Sequence, residues 1–281
     1  MRCASRIYRC FAQAGYKVTI LDQSAEALER GVALIRSNWE ASAKKGKLNA
    51  DRVNQLMAAI QPTTSFDDAG IRGADLVVEA AFERMAIKKE IFAKLDAVCK
   101  AGAVLATNTS TLDVDEIASA TQRPADVVGM HFFSPANVMP LLENVQGQAS
   151  SQRALATAMA VGKRIKKKAV LAKNCFGFIG NRMLEPYLRE ALYMLEEGAT
   201  PEVVDTPLRE FGLAMGPFQM SDLAGNDIGY SARTPIATPQ LADSSRDLIA
   251  ATACIRPVAF AWLADAQAAR MRGCPSAFTV H

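Results

Sequence analysis

The order of apolar runs predicts an α/β domain with a mostly parallel sheet and crossover helices, followed by a mainly helical domain. Two observations carry this. Short runs rich in branched residues (KVTIL at 17–21, LVVEA at 76–80, VLATN near 103–108, VVGMHF at 127–132) alternate with amphipathic stretches. Past residue 174 the pattern changes: LEPYLREALYMLEEG sets Leu184, Leu188, Ala191, Leu192 and Leu195 at helical spacing with charges opposite.

The elements are expected in this order. Ala4 to Ala14 reads as a helix closed by Gly15, KVTIL as a buried strand ending at Asp22, and roughly 25–60 as one long helical region. LVVEA, the helix KKEIFAKLDAVC (88–99), VLATN, the helix DVDEIASA (113–120) and VVGMHF follow. TPEVVDTPLREFG continues the helical style of the second domain and stops on Gly212. From about Ser231 onward periodicity is poor, with possible helix on either side of Pro257. The boundaries drawn are 1–173 and 174–281.

At 281 residues, 50% hydrophobic and 22% charged, the chain has the composition of a globular protein with a sizeable core. A net charge of +3 gives no argument for nucleic acid or membrane as partner. No window has the long apolar run of a membrane-spanning helix, and MRCASRIYRC is not followed by the apolar core of a secretory signal. Six scattered cysteines without a CxxC pair, and two histidines, argue against a zinc site and for a reduced, intracellular chain; no metal is expected.

Function in parallel sheets gathers at the carboxyl ends of strands. Asp22 ends one: a carboxylate there accepts hydrogen bonds from both hydroxyls of an adenosine ribose and repels a 2′-phosphate, favouring NAD over NADP. A helix N-cap or turn role accounts for the same residue. The GxGxxG turn that should precede it is absent. With Asp22 as the ribose acid, the third small position falls near Ala4, and the first strand and first two glycines are missing.

His131 is the one histidine besides the terminal His281, and it lies at the expected end of a strand. It is either a satisfied core histidine or a proton-transfer group. Glu143 follows twelve residues on, and a strand–loop–strand excursion through SPANVMP brings it back beside the imidazole; otherwise it is an exposed strand-edge glutamate. Ser110 and Asn181 stand where a helix N-cap is the plain reading. Glu83 and Lys88 are otherwise ordinary surface charges, and Asn108 supports a strand end. Lys44, Lys45 and Lys47 suit either phosphates or a solvated helix face; KRIKKK (163–168) reads as a solvated helix end entering the strand AVLA.

Four motifs, NTSTLDVDEIA (108–118), GMHFFSPANVMPLLENV (129–145), NCFGFIGNRML (174–184) and FGLAMGPFQMSDLAGNDIGY (211–230), occur in the order found in 3-hydroxyacyl-CoA dehydrogenases. The chain resembles that family from about Phe11 to Tyr230, and most of all the dehydrogenase portion of multifunctional β-oxidation enzymes. The resemblance implies a Rossmann-like NAD-binding domain, here without its first strand, and a helical domain that dimerises when intact. It implies NAD-dependent oxidation of an L-3-hydroxyacyl-CoA to the 3-ketoacyl-CoA. His131 then acts as base, Glu143 orients it, and Ser110 and Asn181 hydrogen-bond the substrate. Asp22, Glu83, Lys88 and Asn108 face the cofactor.

An acyl-CoA is the expected partner, in the cytoplasm, or in the peroxisome if the source is eukaryotic. Two rivals stand beside this reading. One is a catalytically silent homologue with a binding or structural role, as in the lens lambda-crystallins; the other is a dehydrogenase of a small hydroxy acid.

Overall fold

The computed structural model describes residues 4–224 and the strand at 277–280. Helix α1 (Ala4–Gln13) leads through Gly15, at φ 89°, into β1 (Val18–Leu21). Ser24 caps α2 (Ala25–Lys44) by accepting from the Ala27 amide. The expected single helical region over 25–60 is three elements. Gly46 turns the chain at φ 70°, Asn49 caps α3 (Ala50–Ala58) through the Arg52 amide, and β2 (Ile60–Thr63) pairs parallel with β1. A left-handed glycine followed by an N-cap asparagine stops one helix and starts another, whatever the apolar periodicity around them.

The chain continues through α4 (Ala69–Arg72), β3 (Leu76–Glu79), α5 (Met85–Val98), β4 (Val104–Thr107), α6 (Val114–Ala118) and β5 (Val127–Phe132). It then turns back along β6 (Leu141–Gln146), crosses in α7 (Gln152–Arg164) and adds β7 (Lys168–Lys173). The helices α8 (Gly180–Glu196), α9 (Pro201–Phe211) and α10 (Pro217–Ala224) follow, and β8 (Ala277–Val280) closes the described chain.

The eight strands among the described residues form one sheet in the order β2-β1-β8-β3-β4-β5-β6-β7. The position between β1 and β3 is that of the first strand of a dinucleotide-binding unit. It is filled by β8, antiparallel to both neighbours, with Ala277 opposite Leu21 and Glu79. The segment 277–280, expected in the second, helical domain, is therefore a central strand of the first. The helices expected around Pro257 lie outside the described residues.

The period-2 alternation of the strands sorts their side chains onto two cores. Leu76, Val78, Val104, Ala106, Val128 and Met130 join the core that includes Ile7, Phe11, Trp39 and Leu155 of α1, α2 and α7. Val77, Leu105, Val127 and Val145 face the other way, against Ile91, Phe92 and Leu95 of α5 and Ile117 of α6. Gly129 belongs to this second face: a Cβ there would lie 2.6 Å from the Cβ of Val145 and 3.4 Å from Val114 at the start of α6.

The chain divides into two compact units, the first ending at Ile179 and including β8, the second beginning at Gly180. In the second unit Ala191, Val204 and Phe218 form a small core. Asp205, buried within α9, accepts from the amides of Phe218 and Gln219 and so caps α10. Gly216 is required beside it, because a Cβ would meet the Asp205 carboxylate at 2.3 Å.

Candidate active site

The carboxyl ends of β1, β3, β4 and β5 carry Asp22, Glu83, Ser110 and His131 respectively, in the turns or last residues of those strands. His131 and Glu143 are register partners in the antiparallel pair β5/β6, so their side chains leave the sheet side by side on the same face. His131 Nδ1 lies 2.7 Å from Glu143 Oε2. Glu143 is fully buried and His131 is 6% exposed, so the exposed-edge alternative for the glutamate is excluded. The second carboxylate oxygen accepts from the Ile179 amide at 3.1 Å.

Two rings flank the imidazole, Phe133 at 4.5 Å and Phe178 at 5.8 Å between centroids. Phe178 sits at φ 50°, a conformation strained for an aromatic residue and of the kind that clusters at functional sites. The first half of NCFGFIGNRML thus supports the pair: Phe178 packs on the histidine and Ile179 binds the glutamate. Asn174 in the same motif accepts from the Val114 amide and donates to Asp113 and Asp115, tying down the start of α6.

Asn108 reaches from the end of β4 to β5. Its Oδ1 accepts from the Phe132 amide at 2.8 Å, next to His131, while its own amide donates to the Glu79 carbonyl. The expected support of a strand end is what these two bonds provide. The N-cap expected from the NTST hydroxyls for the following helix falls instead to Asp113, which accepts from the amides of Asp115 and Glu116. Asn181 lies inside the first turn of α8 in the second unit, not at its cap.

Glu83 turns inward. Its Oε1 accepts from Thr109 Oγ1 (2.7 Å), the Ser110 amide (2.7 Å), Ser110 Oγ (3.0 Å) and the Thr111 amide (3.3 Å). Its Oε2 lies 3.4 Å from Lys88 Nζ. Burial alone would raise the Glu83 pKa, but Lys88 and the hydrogen bonds of Thr109 and Ser110 outweigh it and hold the carboxyl below its ordinary value. Lys88 is not a surface charge: it is fully buried, with Nζ 2.9 Å from both oxygens of the equally buried Glu79. Burial alone would lower its pKa; the two carboxylates reverse that and raise it, so the ammonium stays charged.

Glu79, Thr107 and Thr109 were not singled out from the sequence. One signal existed, an acidic residue ending the otherwise apolar strand LVVE, whose register partner is Thr107. The spacing from Glu79 to Lys88 crosses a strand, a turn and a helix start, and has no periodic signature.

Asp22 is buried at the end of β1. Its Oδ1 accepts from the Ser24 amide in a turn, and Ser24, not Asp22, caps α2. Its Oδ2 has no hydrogen-bond partner among the described residues, and burial pushes its pKa up. A buried, unpartnered acceptor at this strand end fits the ribose of a dinucleotide. The lysines 44, 45 and 47 are exposed around the end of α2. In the KRIKKK run, Lys167 is not simply solvated: Nζ donates to the carbonyls of Ala136 and Met139, in the loop joining the strands of His131 and Glu143.

The chain matches two family models: the NAD binding domain of 3-hydroxyacyl-CoA dehydrogenase over residues 3–175, and the C-terminal domain of that family over 177–253. It is 48% identical over 223 residues to the human peroxisomal bifunctional enzyme, covering 79% of this chain and 30% of that protein. The peroxisomal fatty acid beta-oxidation multifunctional protein MFP2 of Arabidopsis thaliana is 36% identical over 221 residues, with the same coverages. The chain thus spans about 30% of the length of these relatives. The (S)-3-hydroxybutyryl-CoA dehydrogenase of Ralstonia eutropha superposes with a TM-score of 0.81 at 32% identity, over 88% of this chain and 90% of that one. Both family models match in order along the chain, and the chain belongs to the 3-hydroxyacyl-CoA dehydrogenase family.

Proposed function

We propose that this chain oxidises an L-3-hydroxyacyl-CoA to the 3-ketoacyl-CoA with NAD, as the dehydrogenase part of fatty-acid β-oxidation. The observation that carries the proposal is the buried contact between His131 Nδ1 and Glu143 Oε2 at 2.7 Å. A carboxylate accepting at Nδ1 keeps the ring proton there, which leaves Nε2 with a lone pair for the substrate hydroxyl proton. When that proton arrives, the same carboxylate stabilises the imidazolium. Ser110 and Asn181 hydrogen-bond the reacting oxygen, and Asn108 holds the backbone beside His131 in place. NAD, when bound, supplies the hydride acceptor. Asp22 holds its adenosine ribose through Oδ2, and Glu83 and Lys88 shape the site on the cofactor side.

Replacing His131 with Gln tests this. Turnover of acetoacetyl-CoA with NADH should be abolished while the thermal melt is retained, and undiminished turnover would sink the assignment. The relatives' names point to peroxisomes, and we take that as the compartment in a eukaryotic source, in place of the cytoplasm. A homodimer through the helical domain belongs to the same proposal.

One observation favours the silent-homologue alternative. The strand in the first position, β8, runs antiparallel, so its carboxyl-terminal residue Val280 pairs with Val18 and Leu76 at the far end of the sheet. It also follows α1 in chain order, so it supplies no strand-to-helix turn into that helix. A fluorescence titration with NADH separates the two readings: saturable binding supports the enzyme, and its absence the silent homologue.

A further inference from the structure

We propose that Glu79 is a positioning residue for this reaction, acting through Lys88 and Glu83 to set the orientation of Ser110; the inference rests on the dehydrogenase reading above. Glu79 is the last residue of β3 and is fully buried on the α5/α6 face of the sheet. Its carboxylate is fully engaged. Oε1 accepts from the Ala81 amide (2.6 Å) and Lys88 Nζ (2.9 Å), and Oε2 from Lys88 Nζ (2.9 Å) and Thr107 Oγ1 (2.8 Å).

Lys88 is thereby fixed at the base of the turn that carries Glu83, and its Nζ lies 3.4 Å from Glu83 Oε2. The opposite oxygen of Glu83 holds the amide and the hydroxyl of Ser110. Three side chains thus connect the interior of the sheet to one hydroxyl at its carboxyl edge.

Stability alone does not account for this chain of contacts. A buried ion pair is matched or bettered in stability by apolar residues of similar volume, and is better explained where it fixes a geometry. The geometry here has a chemical consequence. Because Glu83 holds both the amide and the hydroxyl of Ser110, it sets where that hydroxyl lies at the carboxyl edge of the sheet. Without Glu79 the Lys88 charge is drawn wholly to Glu83, and the grip on Ser110 shifts. A displacement of about 1 Å at such a group costs up to about 100-fold in rate.

The test is a double-mutant cycle on kcat/KM for acetoacetyl-CoA with NADH, using Glu79→Gln and Ser110→Ala. Glu79→Gln is expected to lose about 10- to 100-fold in kcat/KM. Ser110→Ala is expected to lose a similar factor in the parent but less than about threefold in the Glu79→Gln background, because neighbours in one network are not additive. A role confined to stability gives costs that multiply, and that result overturns the proposal.

If Ser110→Ala alone leaves turnover intact, the Ser110 role fails and takes this proposal with it. If it costs activity but the costs multiply, only the Glu79 role fails. Should Glu79→Gln not fold, Thr107→Val carries the same cycle, since it removes one bond to Glu79 and keeps both charges.

Discussion

His131 and Glu143 face each other across an antiparallel pair of strands, and their contact follows from backbone register before any side-chain preference. Replacing Glu143 with Gln keeps the shape but removes the charge that stabilises the imidazolium. The expected outcome is a fall in kcat of about 10²- to 10⁴-fold, the range of a general base that loses its setting. Steady-state kinetics with acetoacetyl-CoA and NADH check it.

Asp22 has opposing effects on folding and on binding. Burial raises its pKa, so in the cofactor-free protein its ionisation costs stability. That stability is fully present below the unfolded pKa and is lost as pH rises through the raised native one. Asp22→Asn should therefore raise the melting temperature of the cofactor-free protein at neutral pH. It should also weaken NADH binding by about 10- to 100-fold, the worth of one charge-assisted hydrogen bond. In the parent, NADH affinity should fall with acidification at a higher pH than an ordinary aspartate would give.

Lys88→Met leaves Glu79 as a buried carboxylate without its cation, and should destabilise the fold by about 3–5 kcal/mol in denaturant unfolding. Adding Glu79→Gln should recover much of that loss. Glu83 has a lowered native pKa, so its contribution is present above its unfolded value and lost as pH falls through the lowered one. The part of the Lys88→Met deficit that acts through Glu83 should accordingly shrink in acid.

The strand β8 completes the ladders of both β1 and β3 in the middle of the sheet. Thr279 pairs with Thr19 on one side and Val77 on the other. Thr279→Pro removes a donor from a central strand, a position that proline does not tolerate. The expected outcome is a lower unfolding midpoint in urea.

At Gly129 any side chain meets Val145. Gly129→Ala should cost about 1–3 kcal/mol of overpacking, and Val145→Ala in the same chain should return part of it.

The local signals in the chain were sufficient for the alternation of strands and helices, because period-2 and period-3.6 patterns and caps are properties of neighbouring residues. They were sufficient also for Asp22 at a strand end, and for the His131–Glu143 excursion, since a hairpin-like return over twelve residues leaves its loop and both strands legible. They misjudged 25–60, where Gly46 and Asn49 outrank the apolar repeat. Lys88, too, looked like one surface charge among several, because its burial depends on a carboxylate delivered by another strand.

What only the tertiary structure decided is long-range. The sheet puts Glu79 opposite Thr107, turns Glu83 onto Ser110, brings Ile179 to Glu143, and draws residues 277–280 into the position between β1 and β3. None of these has a sequence period. Each arises because backbone donors and acceptors, and buried charges, must find partners wherever the fold brings them.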